Sequence, residues 1–168
     1  MARSIDYRST SPFPADEVYA TMVDPEYLRA RLSAMGGPGA DLLEHTADEQ
    51  GARYRLKHGV SARNLPPIAT SMVRGDLVIE RTESLTRDAS GQYSGKVAVA
   101  IRGMPASAVG RMRLADQDGS GSEFAVRANV TVKVPLIGGK IEDVVADQVR
   151  NLLAAEMAFT LQWIEQNR

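Results

Sequence analysis

Polar and apolar residues alternate at the start of the chain. Ile5, Tyr7, Ser9 and Ser11 interleave with Asp6, Arg8 and Thr10, the period of two that marks a half-buried strand, and Pro12 ends it. Pro14 then suits the first turn of a helix, with Asp16 and Glu17 beside its positive end and Val18, Tyr19, Met22 and Val23 on one side. Asp24-Pro25-Glu26 restarts the chain as a second helix over residues 26–35. Here Asp24 is the cap and Pro25 fits the first position, and Gly36-Gly37-Pro38-Gly39 stops it.

The pattern of strands and turns then takes over. Residues 42–46 and 52–61 read as strands around the polar turn 48–51. The stretch 62–75 contains Leu65-Pro66-Pro67, which cannot be a central strand, so a loop with one helical turn over 68–73 is predicted. Four longer strands follow, at about 76–86, 92–102, 107–115 and 123–134, joined by short turns that imply an antiparallel meander. Strands of this length run about 30 Å and twist, so the sheet should curl.

Residues 138–168 read as one long helix. Ile141, Val145, Val149, Leu152, Leu153, Phe159, Trp163 and Ile164 fall on one broad side, and Asp143, Asp147, Arg150, Gln162 and Glu165 fall on the other. So wide an apolar stripe suits a concave partner, which a curled sheet provides. The fold class predicted is α+β, in a single domain over residues 1–168: one strand, two short helices, a six-stranded meander and a covering C-terminal helix.

Alternation also assigns the inward side chains. Tyr54, Leu56, His58 and Val60 share a face opposite Arg53, Arg55 and Lys57. The same rule turns in Leu77, Ile79 and Arg81, then Tyr93, Gly95, Val97, Val99 and Ile101, then Met112 and Leu114. On the last strand it turns in Phe124, Val126, Ala128, Val130, Val132 and Val134. With only 5% aromatic residues and many Val, Ala and Gly on this list, the interior is apolar and underfilled, as a ligand pocket is. The polar exceptions are His58, Arg81 and Glu156. Either Arg81 and Glu156 form a structural ion pair, or the three orient a bound molecule.

Charge and composition narrow the classes. A formal charge of −1, with 20 basic against 21 acidic residues, gives no general attraction to nucleic acid or anionic membrane, so any such partner needs a local patch. Arg111 and Arg113 are assigned to a solvated sheet face. The absence of cysteine removes disulfides and thiol chemistry. No apolar run suits a signal or a membrane span, so a cytoplasmic location without stable membrane insertion is expected. Gly138-Gly139-Lys140 lacks the remaining positions of a phosphate loop, and its glycines are read as freeing a turn from sheet into helix. His45 and His58 show no ligand spacing, so neither a metal nor a cofactor is expected.

The entry Ser4-Ile5-Asp6-Tyr7-Arg8-Ser9-Thr10, with Pro14-Ala15-Asp16-Glu17-Val18-Tyr19 and Asp24-Pro25-Glu26-Tyr27-Leu28, resembles that of the START-like, helix-grip superfamily, which includes plant pollen allergens and polyketide cyclases. Leu65-Pro66-Pro67 and Val134-Pro135-Leu136-Ile137-Gly138-Gly139-Lys140 look like an uncharacterised actinobacterial family within it. The resemblance implies a curved seven-stranded antiparallel sheet gripping the last helix, with an apolar cavity between them. It also implies members that bind lipids, sterols, polyketides or other hydrophobic small molecules, a minority being enzymes. No catalytic residues carry over, and fold does not fix function.

Three functions are therefore weighed. The first is binding or carriage of a hydrophobic small molecule, with Glu156, His58, Arg81, Tyr54, Tyr93, Val97, Met112, Phe124, Leu152 and Phe159 as the candidate lining. The second is a cyclase- or dehydratase-like enzyme moving a proton through His58 or Glu156, its pKa raised by apolar surroundings. The third is a protein-interaction module with a collapsed cavity.

Overall fold

The computed structural model describes residues 2–65, 67–71 and 74–168. In chain order the elements are β1 (Ala2–Ser11), α1 (Ala15–Met22), α2 (Pro25–Met35), β2 (Asp41–Ala47), β3 (Gly51–Val60), a 3-10 turn (Ala62–Asn64) and α3 (Pro67–Thr70). β4 (Leu77–Arg87), β5 (Tyr93–Ile101), β6 (Ala106–Asp116), β7 (Ser122–Val132) and α4 (Gly138–Gln166) complete them. The strands form one antiparallel sheet in the order β1-β7-β6-β5-β4-β3-β2, a meander closed off by the first strand. The one helical turn predicted in the central loop sits earlier than residues 68–73, because Pro67 occupies its first position; residues 72–73 lie outside those described.

Two helix starts behave as their residues dictate. Asp24 accepts a hydrogen bond from the Glu26 N–H at 3.0 Å, with Pro25 in the first position of α2. At α1, Asp16 and Glu17 occupy the first turn.

Curvature is written into the middle strands. A Cβ on Gly95 would stand 1.6 Å from the Ser84 carbonyl oxygen, and one on Gly110 would stand 2.3 Å from that of Arg127. Only glycine permits these approaches, and they let β5 and β6 bend toward their neighbours.

The bent sheet receives α4, about 44 Å long, on its inner face. Ile141 and Ala146, on its first half, pack with Ile5, Val130 and Val132 of β1 and β7. On its second half Leu153, Met157 and Ile164 join the main core with α1, α2 and the far end of the sheet. Glu142 ties the joint: its Oε2 accepts from the Val132 N–H at 2.8 Å, satisfying a backbone donor at the end of β7.

The turn from sheet to helix differs from the glycine reading. The left-handed residue is Leu136, with φ of 71°, and its side chain is fully exposed. Gly138 serves close approach instead, since a Cβ there would stand 2.5 Å from the Val132 oxygen, while Gly139 has open space around it. Among the described residues no helix is long and apolar enough to cross a membrane.

Candidate functional site

Arg81 lies mid-strand on β4, inward-facing, between Leu56 of β3 and Val99 of β5. Glu83 is the next inward position, between Tyr54 and Val97. Opposite them α4 brings down Glu156, and α2 contributes Arg31; all four are buried. The Arg81 guanidinium donates to both Glu156 oxygens, Nη1 to Oε2 and Nη2 to Oε1, each at 2.9 Å. Its Nε lies 2.9 Å from Glu83 Oε1, close enough for an ion pair but out of line for a hydrogen bond. Arg31 Nε stands 3.5 Å from Glu156 Oε2. Two cations and two anions thus offset one another inside the protein, the condition under which buried charge is tolerated.

The balance fixes the protonation states. Burial pushes the Glu156 pKa up, but the Arg31 and Arg81 guanidiniums outweigh it and hold the carboxyl at about 2. Burial works against the charge of Arg81, yet Glu156 and Glu83 raise its pKa overall, and Arg31 is raised in the same way by Glu156. His58 goes the other way: burial, reinforced by Arg81, lowers it to about 4, so its ring is neutral at pH 7. The raised pKa that proton transfer through Glu156 or His58 would draw on is therefore found at neither residue.

A wall of aromatic and hydroxyl groups surrounds the charges. Tyr27 and Thr160 share a short hydrogen bond, and Thr160 Oγ1 donates to the Glu156 carbonyl at 2.8 Å, so the Tyr27 hydroxyl is the donor to Thr160. The Tyr27 ring meets Phe159 and Trp163 at centroid distances of 5.9 and 5.8 Å and carries the Arg31 guanidinium 5.7 Å from its centre. Several polar atoms nevertheless have no hydrogen-bond partner among the described residues: His58 Nε2, Arg31 Nε and Nη2, and Glu83 Oε1. Buried polar groups are seldom left so.

Next to this cluster the inner face is incompletely covered. Ile79, Val97, Val99, Ile101 and Ala108 point inward by register, yet they are half-buried, as are Val145, Val149 and Leu152 of α4. Ile101, Ala108, Val145 and Val149 border the smaller core group together. Two pockets elsewhere are surface features. One, of about 570 Å³, lies at the start of α4 beside Arg3, Val134, Leu136 and Lys140. The other, of about 280 Å³, lies at the turn between β2 and β3. Neither is lined by His58, Arg81 or Glu156.

Residues 6–164 match the model of a family described as a protein of unknown function, DUF2505. The chain belongs to the DUF2505 family. An uncharacterised protein of Mycobacterium tuberculosis is 27% identical to this DUF2505 chain over 99% of each. Among solved structures, a START superfamily protein from Mycobacterium smegmatis matches 98% of this chain and 99% of its own, with a TM-score of 0.56 at 14% identity. An aromatase/cyclase from a Streptomyces species matches 98% of this chain and 92% of its own, with a TM-score of 0.53 at 11% identity. At such identities the likeness establishes the fold: this DUF2505 chain has the START-like, helix-grip architecture.

The candidate residues separate within that architecture. Arg81 and Glu156 meet as an ion pair, with His58 close enough to feel both charges. Tyr54, Tyr93, Met112 and Phe124 are buried in the main core, while Val97, Leu152 and Phe159 keep partial exposure. Tyr93 is engaged elsewhere, stacked on Tyr19 with its hydroxyl donating to Asp16 at 2.7 Å. His45 donates to the Val23 carbonyl and lies on β2. Arg31 and Glu83 were not among the sequence candidates. Glu83 continues the alternation through Ile79 and Arg81. That parity was visible in the sequence, whereas Arg31 shares the buried stripe of α2 with Tyr27, Leu28 and Leu32 only once α2 is packed.

Proposed function

We propose that this chain binds a hydrophobic small molecule that carries one uncharged polar group. Its apolar body lies along the half-buried strip of Val97, Val99, Val149 and Leu152, and its polar end reaches His58 and Arg31. The observation that carries this reading is that buried His58 Nε2 and Arg31 Nη2 make no hydrogen bond among the described residues, beside a half-buried apolar strip. A carbonyl or hydroxyl oxygen accepts from Arg31, and a hydroxyl can also donate to His58 Nε2, whereas a full charge would unbalance two arginines already matched by two glutamates.

Proton transfer is less well supported. Glu156 is ionised and held by both oxygens, and His58, at about 4, is a weak base. The test is native mass spectrometry and solvent extraction of the purified protein. A stoichiometric co-purified amphiphile, uncharged at pH 7, is the expected result. The reading fails if no molecule is found and no member of a panel of sterols, fatty alcohols and polyketide-like phenols raises the melting temperature.

A further inference from the structure

The outward face of the sheet carries a row of positive charge that the net charge of the chain conceals. Register places Arg53, Ser84, Lys96, Arg111 and Arg127 side by side across β3, β4, β5, β6 and β7. At the spacing of neighbouring strands the row is about 19 Å long. Arg113 and Arg8 stand one outward position further along their own strands, and all six basic residues are exposed.

Acidic residues compensate the flanks of this face but not the middle of the row: Glu44 and Glu80 pair with Arg55 and Arg102 further along β3 to β5, outside the row. Asp6 contacts Arg127 and Arg8, and Glu123 contacts Arg8. Arg113 is held by Gln92 and lies near Asp88. Arg53, Lys96 and Arg111 have no acidic partner among the described residues. Like charges directly opposite one another weaken a sheet, so Lys96 against Arg111 against Arg127 is not explained by stability.

We infer that this face docks on a bilayer surface bearing anionic lipid headgroups. The charges are spread along the convex outward face rather than gathered in a cleft, and each basic residue near a charged surface adds to the affinity. Single-stranded nucleic acid fits less well, because the sheet turns Tyr7, Tyr54, Tyr93 and Phe124 inward and leaves no outward ring for a base to stack on. A specific protein partner would want a large apolar or aromatic anchor, and the one large hydrophobe well exposed on these strands is Val109, 60% exposed. The docking requires no particular occupant of the interior and stands or falls apart from the proposed function.

The test is co-sedimentation with vesicles of phosphatidylcholine alone or with about a third phosphatidylglycerol, at low ionic strength and in about 0.5 M salt. Binding should occur only with the anionic vesicles at low ionic strength. It should weaken at least about tenfold in Lys96→Glu/Arg111→Glu, two reversals in the middle of the row. The matched control Arg29→Glu/Lys140→Glu, with the same net charge, should bind like the wild type. The melting temperature of the row variant should stay close to that of the wild type, since the double reversal keeps like charges opposite each other at positions 96 and 111 while making the pair at 111 and 127 attractive. The inference is overturned if the wild type ignores anionic vesicles, if both double variants lose binding equally, or if an RNA oligonucleotide binds where vesicles do not.

Discussion

Arg81 and Glu156 face each other across the interior, one at mid-strand on β4 and the other on the second half of α4, joined by two parallel hydrogen bonds of 2.9 Å. The pair clamps the last helix to the middle of the sheet, and Arg31 leans on the same carboxylate. Glu156→Leu therefore strands two guanidiniums. A loss of about 3–5 kcal/mol in urea unfolding is expected. Unchanged stability with altered ligand retention would instead make Glu156 an anchor for a guest alone.

Acid should destabilise the fold in two successive windows. His58 titrates at about 4 in the folded chain against 6.5 ordinarily, so between those values the unfolded chain binds the extra proton and stability falls as pH falls. The drop is about 3 kcal/mol by linkage. Glu156, ionised down to about 2 rather than 4.5, contributes stability that is present above 4.5 and lost as pH falls toward 2. In His58→Gln, stability measured from pH 7 to pH 4.5 should be nearly flat; an unchanged slope would assign the upper window to another group.

Tyr27→Phe removes the donor to Thr160 while leaving the ring in contact with Phe159 and Trp163. A cost of about 1 kcal/mol is expected, visible as a shifted urea midpoint with an unchanged slope. A cost of several kcal/mol would mean that the hydroxyl also holds the charge cluster in place.

Neighbouring glycines at the start of α4 should respond with opposite signs. Gly139→Ala gains helix propensity in open space and should stabilise by up to about 1 kcal/mol. Gly138→Ala drives a methyl against the Val132 carbonyl and should lower the melting temperature. Equal effects would show that the two sheet-to-helix approaches are alike.

Much of this was legible from alternation and punctuation. Asp24-Pro25, the polar turns and the stripe from Ile141 to Ile164 locate the helices and strands within a residue or two, because cap, turn and period are local properties. The site was legible only in part. Arg81, Glu156 and His58 stand out as polar residues at inward positions, whereas Arg31 looks like one more charge on a short surface helix until α2 is seen between sheet and α4. How much of the stripe is covered is likewise a matter of helix placement. Val145, Val149 and Leu152 are half-buried although their spacing is that of Ile141 and Leu153.

The pairing of β1 with β7 has a consequence for how the protein is made. Ser4 bonds to Asn129, a partner 125 residues later in the chain. A ribosome therefore releases the opening strand long before its neighbour exists, and until β7 emerges the amides of β1 can bond only to water or to the wrong edge. Closure of this loop, with its large entropic toll, should be the slow event of folding, and α4 can seat fully only once it is done.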